Sequence, residues 1–239
     1  GGTVLIYQLV QFVLHQHKTP KEPKPRDDAA CLQTASYLPK THNAQTLPIP
    51  DKVKQAVDNP IKDQSLLYPL HEAALRLTQS DVAKDFEFGW GWDANNILHI
   101  HCNTIFPNAT PEMLKFWFIN HGNGRGKYHW YKWWHPIDHK RAWWCDRQTH
   151  PVHDDKHGYV GHTSFVYEYL CKDLPNTEMD YLRIHFVDPT EFGFTEGVIN
   201  EKEQREIVCA RAGFLAFQVE SSQFIHYFEK YGDDACIMK

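Results

Sequence analysis

No Cys-x-x-Cys pair occurs among the six cysteines, at 31, 102, 145, 171, 209 and 236. A cysteine-only zinc knuckle is thereby excluded, and thiols scattered in this way behave as small hydrophobes. No lysine/arginine stripe offsets the net charge of -5, so a nucleic-acid surface is not expected. The apolar run at residues 3–14, broken only by Gln8 and Gln11, is too short to span a bilayer, which takes about 20 residues. There is no internal repeat and no Gly-x-Ser-x-Gly elbow. The GNGRGK run at 122–127 follows a helical pattern rather than a strand, the wrong context for a phosphate loop. What remains is one globular domain plus an extension, in a chain of 239 residues that can bury a real core. Its sixteen histidines raise the question of a metal.

The densest chemistry lies at residues 110–139. Thr110-Pro111-Glu112 reads as a helix start, with a hydroxyl at the N-cap, proline at the first position and an acid in the first turn. Met113 and Trp117, and Leu114 and Phe118, are i,i+4 pairs that give this helix a wide apolar face. Gly122 fits its stop. A loop carrying Gly122, Gly124 and Gly126 follows, then an aromatic strand through Tyr131, Trp133 and Trp134. A turn with His135, Pro136, Asp138 and His139 ends the stretch.

Three regions divide the chain: an apolar segment and proline-rich linker at 1–28, an extension with short helices at 29–84, and a main domain at 85–239. The spacing predicts helices at 51–57 and 66–77, parted by Asn59-Pro60. From residue 85 the pattern is one of strands. Residues 96–105 alternate, with Leu98, Ile100, Cys102 and Thr104 on one face and Ile97, His99, His101 and Asn103 on the other. Residues 165–170, 182–186, 207–212, 214–219 and 224–228 follow. Many strands and few helices predict an α+β fold on an antiparallel sheet. The chain opens Gly-Gly with no initiator methionine and closes just after Tyr231-Gly232-Asp233-Asp234. Both ends read as cut, and the last residues as a hairpin arm barely begun, leaving an unpaired strand edge near Lys239. The sequence leaves the location open: a cytoplasmic one is favoured, and residues 3–14 leave a secretory signal or anchor as the alternative.

Glu168 shares a strand face with Val166 and Leu170. If that face is buried, its carboxylate is costly unless partnered, and a cation would hold it ionised. The alternative is that the aromatic face of Phe165, Tyr167 and Tyr169 is the buried one. His226, between Phe224 and Phe228, reads equally as a core histidine or a pocket histidine. His135 and His139 lie four apart, but Pro136 disfavours a helical chelating pair. One of them as a ligand and the other as structural is the better reading. His150, His153, Asp154, Asp155 and His157 form a second metal-competent cluster, expected to be a solvated loop.

At these residues the chain resembles the diacetylphloroglucinol hydrolase family, which includes phloretin hydrolases. The likeness runs from Phe86 to the C-terminus through ordered motifs: Thr110-Pro111-Glu112-Met113 with Phe116-Trp117-Phe118; Tyr131-x-x-Trp134-His135-Pro136-x-Asp138-His139; Thr163-Ser164-x-Val166-x-Glu168-Tyr169; Phe186-x-Asp188-Pro189; and Ile225-His226-Tyr227-Phe228. The resemblance implies a START-like helix-grip fold, a curved antiparallel sheet around a long C-terminal helix. It also implies a zinc ion held by two histidines and two glutamates. His139 and Glu168 match the first of each, and the second pair belongs to a His-x-x-x-Glu segment expected beyond Lys239. Tyr131 matches the active-site tyrosine and His226 a further pocket histidine. Ala142 departs from the family, which can place a polar residue there.

The expected function is zinc-dependent hydrolysis of the C–C bond between an acyl group and a polyhydroxylated ring. Tyr131 and His226 are the expected catalytic residues, Trp117, Trp134 and Tyr131 the substrate contacts, and His139 and Glu168 the ligands of Zn2+. The partner is a small aromatic acyl-phenol, with no nucleic acid and a homo-oligomer left open. The 239 residues alone are expected to be inactive. The alternative is a non-catalytic module of the same fold that holds a hydrophobic ligand.

Overall fold

The computed structural model describes residues 51–79, 88–122, 130–144, 158–170, 179–200, 204–214 and 221–239. The apolar 3–14 segment, the linker, most of the glycine loop and the 150–157 cluster lie outside them. Helix α1 (Asp51–Asp58) forms where the sequence predicts it, and α2 (Leu70–Thr78) begins four residues later than predicted, after a 3-10 turn at Gln64–Leu66. Strands β1 (Phe88–Trp92) and β2 (Leu98–Cys102) make a two-stranded antiparallel sheet. The chain then enters a second sheet through β3 (Thr104–Pro107). The single strand expected over 96–105 is thus two, separated at Asn103, each with a different partner. In β2 the apolar residues Leu98 and Ile100 are exposed while His99 and His101 are partly covered, with His101 lying against Tyr68.

Helix α3 (Pro111–Asn120) starts as predicted: the Thr110 hydroxyl accepts the Met113 N–H at 3.2 Å, and Pro111 stands in the first turn. Its Leu114 and Phe118 are buried, whereas Met113 is exposed. The aromatic strand expected after the glycine loop is instead a short helix, α4 (Tyr131–Trp134). The aromatic run carries no alternation to mark a strand, and one helical turn sets Tyr131 inward while Trp133 stays exposed.

The main sheet has seven antiparallel strands in the order β3-β9-β8-β7-β6-β5-β4. They are β4 (His139–Trp144), β5 (Thr163–Glu168), β6 (Asp180–Val187), β7 (Arg205–Phe214), β8 (Ser222–Tyr231) and β9 (Ala235–Met238). The fold is α+β, as predicted. Asp188 ends β6 and caps a 3-10 turn, accepting the Thr190 N–H at 2.9 Å. Phe214, expected to open a separate strand, ends β7, and residues 215–220 lie outside the described ones. β9 is no edge: it pairs with β8 on one side and β3 on the other, and Lys239 exchanges backbone hydrogen bonds with Tyr227 at 2.9 and 3.1 Å. The hairpin turn holds Gly232 at φ +66, a conformation glycine adopts freely.

Each face of this sheet has its own cover. On one, Leu114 and Phe118 of α3 pack with Phe186, Val208, Ala210, Phe228 and Cys236. On the other, Ala74 of α2 packs with Val187, Ile207, Cys209 and Tyr227. Strand pairing carries the α3-covered face out to Ala142, Ser164, Val166 and Glu168.

Candidate functional site

β5 decides which face Glu168 takes. Ser164 and Val166 are fully buried, so the alternation sets Glu168 on the covered face. Phe165, Tyr167 and Tyr169 are the less buried set, and Tyr167 stacks across the strands on Tyr181 at 4.2 Å. The first residue of β4, His139, stands opposite Glu168 in register, and a bulge follows between His139 and Arg141. Bulges of this kind re-aim side chains next to sites. The turn before it is tied by the His139 N–H to the His135 carbonyl at 3.0 Å and the Asp138 N–H to His135 Nδ1 at 3.2 Å.

Three groups meet here. The Tyr131 hydroxyl donates to Glu168 Oε2. His139 Nε2 lies 3.4 Å from the same oxygen. The rings of Tyr131 and His139 are stacked 3.8 Å apart and 3° from parallel. His139 Nδ1 lies 3.0 Å from the Tyr131 carbonyl, which can only accept, so Nδ1 carries the proton and Nε2 presents its lone pair to Glu168. Burial lowers the His139 pKa to about 4, with the nearby His135, His121 and Lys140 adding to the effect. Burial also raises Glu168, against the pull of the Tyr131 hydrogen bond and with help from Asp138 and Asp180. Tyr131, itself 5% exposed, is held well above the usual phenol range by burial and by the Glu168 charge. His139 and Glu168 are therefore not an ion pair near neutral pH: the imidazole is neutral.

The sequence-predicted residues divide here. His139, Glu168 and Tyr131 come together. Trp117 lies beside them, 6.4 Å from the Tyr131 ring and stacked on it, with its indole N–H donated to the Trp130 carbonyl at 3.2 Å. Trp134 lies 4.6 Å from Trp117. His226 belongs to another neighbourhood, among Phe118 at 5.8 Å, Phe224 at 5.0 Å and Trp134 at 6.2 Å, and burial lowers its pKa to about 4. A chain of ring contacts links it to Tyr131 through Trp134 and Trp117. His135 is more open and lies by Asp138, 3.4 Å from its carboxylate. Ala142 is buried against Tyr131 and Val166.

Sequence reasoning passed over three residues. His121, just past α3, bonds Ser164 Oγ through Nε2 at 2.7 Å. A basic side chain at a helix C-terminus is the signal that could have found it. Ser164 follows from the same alternation as Glu168. Asp180, buried, is the cross-strand neighbour of Glu168, which only the β5–β6 register reveals. His139 Nε2 and Glu168 Oε2 are two donors available to a cation. No group of three or more potential metal ligands forms among the described residues.

The family model of the DAPG hydrolase PhiG domain matches residues 69–238. The phloretin hydrolase of Eubacterium ramulus is 31% identical over 137 residues, 55% of this chain and 46% of that protein. The chain thus spans about half the length of the curated relative it matches.

Proposed function

The chain belongs to the DAPG hydrolase PhiG domain family, and we propose that the whole protein cleaves the C–C bond between an acyl group and a polyhydroxylated aromatic ring, with zinc at His139 and Glu168. The observation that carries this reading is the convergence of His139 Nε2 and Glu168 Oε2 at 3.4 Å, with the Tyr131 hydroxyl donating on the carboxylate side. Two lone-pair donors facing each other need a positive species between them. Their spacing is also that of two ligands about 2.1 Å from one tetrahedral centre, which are about 3.4 Å apart. The Nδ1 bond of His139 to a backbone carbonyl is the usual orientation of a metal-binding histidine. A catalytic zinc site offers at least three protein ligands, so the reading calls for further donors from outside the described residues. The seven-stranded antiparallel sheet with its site at the β4–β5 edge supports the finer fold reading, a START-like helix grip.

When bound, zinc would supply Lewis acidity toward the acyl carbonyl or a water of lowered pKa. The chain's own residues do the rest. Tyr131, kept protonated by its raised pKa, holds a proton at Oη where the ring hydroxyls or the departing ring carbon can take it. Cleavage leaves electron density on the ring, and ortho and para hydroxyls delocalise it, which is why the substrate class is a polyphenol. Trp117 and Trp134 offer faces on which such a ring stacks. His226, neutral, lies against Trp134, 6.2 Å away.

The test uses the natural full-length protein, loaded with zinc, and phloretin or an acetylphloroglucinol as the probe. The expected result is release of the free ring and the carboxylic acid, with stoichiometric zinc. Tight binding of the probe without cleavage would replace this reading with that of a hydrophobic-ligand module.

A further inference from the structure

We infer that His121, pinned by Ser164, is a positioning residue that holds Tyr131 in line with Glu168. His121 is 2% exposed, and Ser164 is fully buried. The Phe118 carbonyl, 2.5 Å from Nδ1, accepts that proton and fixes the tautomer. Nε2 is then an acceptor, and the Ser164 hydroxyl donates to it at 2.7 Å. Both ring nitrogens are committed, one to the end of α3 and the other to β5, so the imidazole cannot turn.

What this locked ring touches is the wall of the site. Its centroid lies 6.0 Å from Tyr131 and 5.6 Å from Trp117. Behind it are Trp144 at 4.8 Å and Phe186 at 6.0 Å, both belonging to the buried core. Tyr131 is stacked on His139 and on Trp117, with His121 tilted at 54° against it. Its neighbours therefore set the ring plane, and the ring plane sets where the hydroxyl points. Ser164 lies on β5, four residues before Glu168 and on the same face, so one strand carries both the carboxylate and the anchor of the ring that addresses it. A polar pair this deep in an aromatic core is tolerated because its ring nitrogens are bonded, and those bonds fix its orientation. His121 acts through Tyr131 and touches no reacting atom.

The kinetic part of the test rests on the hydrolase reading; the spectroscopic part does not. In metal-free full-length protein, a downfield proton resonance that disappears in Tyr131→Phe reports the Tyr131–Glu168 hydrogen bond. Ser164→Ala should shift or abolish that resonance. It should also lower kcat on phloretin by about tenfold with KM little changed, as misplacement of a catalytic group does. Ser164→Thr, which keeps the hydroxyl, should restore both. Should the alanine variant fail to fold, Ser164→Cys, similar in size and a weaker donor, takes its place with the same expectation. An unchanged resonance in the variant, or no Tyr131-dependent resonance in the wild type, overturns the inference. A responsive resonance in a protein that leaves phloretin intact sustains the inference and removes the hydrolase reading instead.

Discussion

Two buried tyrosine–glutamate pairs sit on the same face of the main sheet, and they differ in what completes them. Tyr131 donates to Glu168 beside α4 and β4, and Tyr159 donates to Glu206 at the start of β7. Burial and the adjacent carboxylate hold both phenols well above their ordinary range. At Glu206 the third member is Lys115 of α3, whose Nζ is 3.8 Å away. The charge is matched, and the cluster ties the helix to the sheet. At Glu168 the third member is a neutral imidazole presenting a lone pair. One cluster is electrostatically closed. At the other, the proposed zinc would supply the positive charge that Lys115 supplies at Glu206.

The largest expected effect separates the two clusters outright. Glu168→Gln should abolish stoichiometric zinc and lower turnover of phloretin by more than about a hundredfold, since losses in the outer shell of a metal alone cost 10–100-fold. Stability of the metal-free variant should hold or rise, because burial already disfavours the ionised carboxylate. Metal analysis and urea titration of the same preparation read both quantities. Full zinc content in the variant would mean that the ligands lie elsewhere, with the cluster at 150–157 the next place to look.

Acid should sharpen the contrast, because only one cluster contains an imidazole. His139 is lowered from 6.5 to about 4, and so is His226 among its aromatic neighbours. For a lowered histidine the folded state resists a proton that the unfolded chain accepts. Its contribution is complete above about pH 6.5 and is lost as the pH falls toward 4, by up to about 3 kcal/mol for each. Glu168, raised, works in the opposite sense and offsets part of the loss. Urea midpoints of metal-free protein across this window should fall with acid. His226→Phe and His139→Phe should each remove a comparable share of the slope, with His101, also lowered by burial, supplying a further part. A slope untouched by both substitutions would place the acid sensitivity in other groups.

Next in size is the closed cluster. Lys115→Met leaves Glu206 without its cation in a mostly buried setting. The expected loss of stability is about 1–3 kcal/mol, with zinc content and kcat unchanged. Coupled loss of zinc would show that the two ends of the face are not independent.

Much of this was legible in the residues. Helix α3 was readable because Thr110, Pro111 and Glu112 are a local code that tertiary contacts have no reason to override. The antiparallel strands were readable from alternation. The face taken by Glu168 was not, because Phe165, Tyr167 and Tyr169 look as burial-prone as Val166. Only pairing with β4 and β6, which sets Ala142 and Leu182 beside Val166, decides it. The short helix α4 was misread because four bulky residues, Tyr131 to Trp134, carry no period. Glu168 stood out by its strand pattern and His139 by its spacing from His135, and the family's motifs then matched both as ligands. Their 3.4 Å approach comes from a register that joins residues far apart in the chain. The closed cluster was invisible for the same reason: Lys115, Tyr159 and Glu206 come from a helix, a turn and a strand with no common motif.

The smallest effects come from removing one hydroxyl from each pair, and these compare the pairs most directly. In Tyr159→Phe the lost bond is purely internal: Tyr159 is buried, and Glu206 keeps Lys115. Stability should fall by about 1–2 kcal/mol, the usual cost of leaving a buried acceptor short of a donor, and turnover should not change. In Tyr131→Phe the acceptor is Glu168, which in the zinc-loaded protein on which both variants are compared would keep the proposed metal as its partner. Zinc content should stay near stoichiometric and stability should change little, while kcat on phloretin falls by about tenfold or more, within the range for a proton-transfer group. Calorimetry and steady-state kinetics on the two variants give four numbers, and the comparison requires them to cross: stability for Tyr159, turnover for Tyr131. If both variants lost stability alone, the Glu168 cluster would be as closed as the Glu206 cluster, and Tyr131 would have no part in the chemistry.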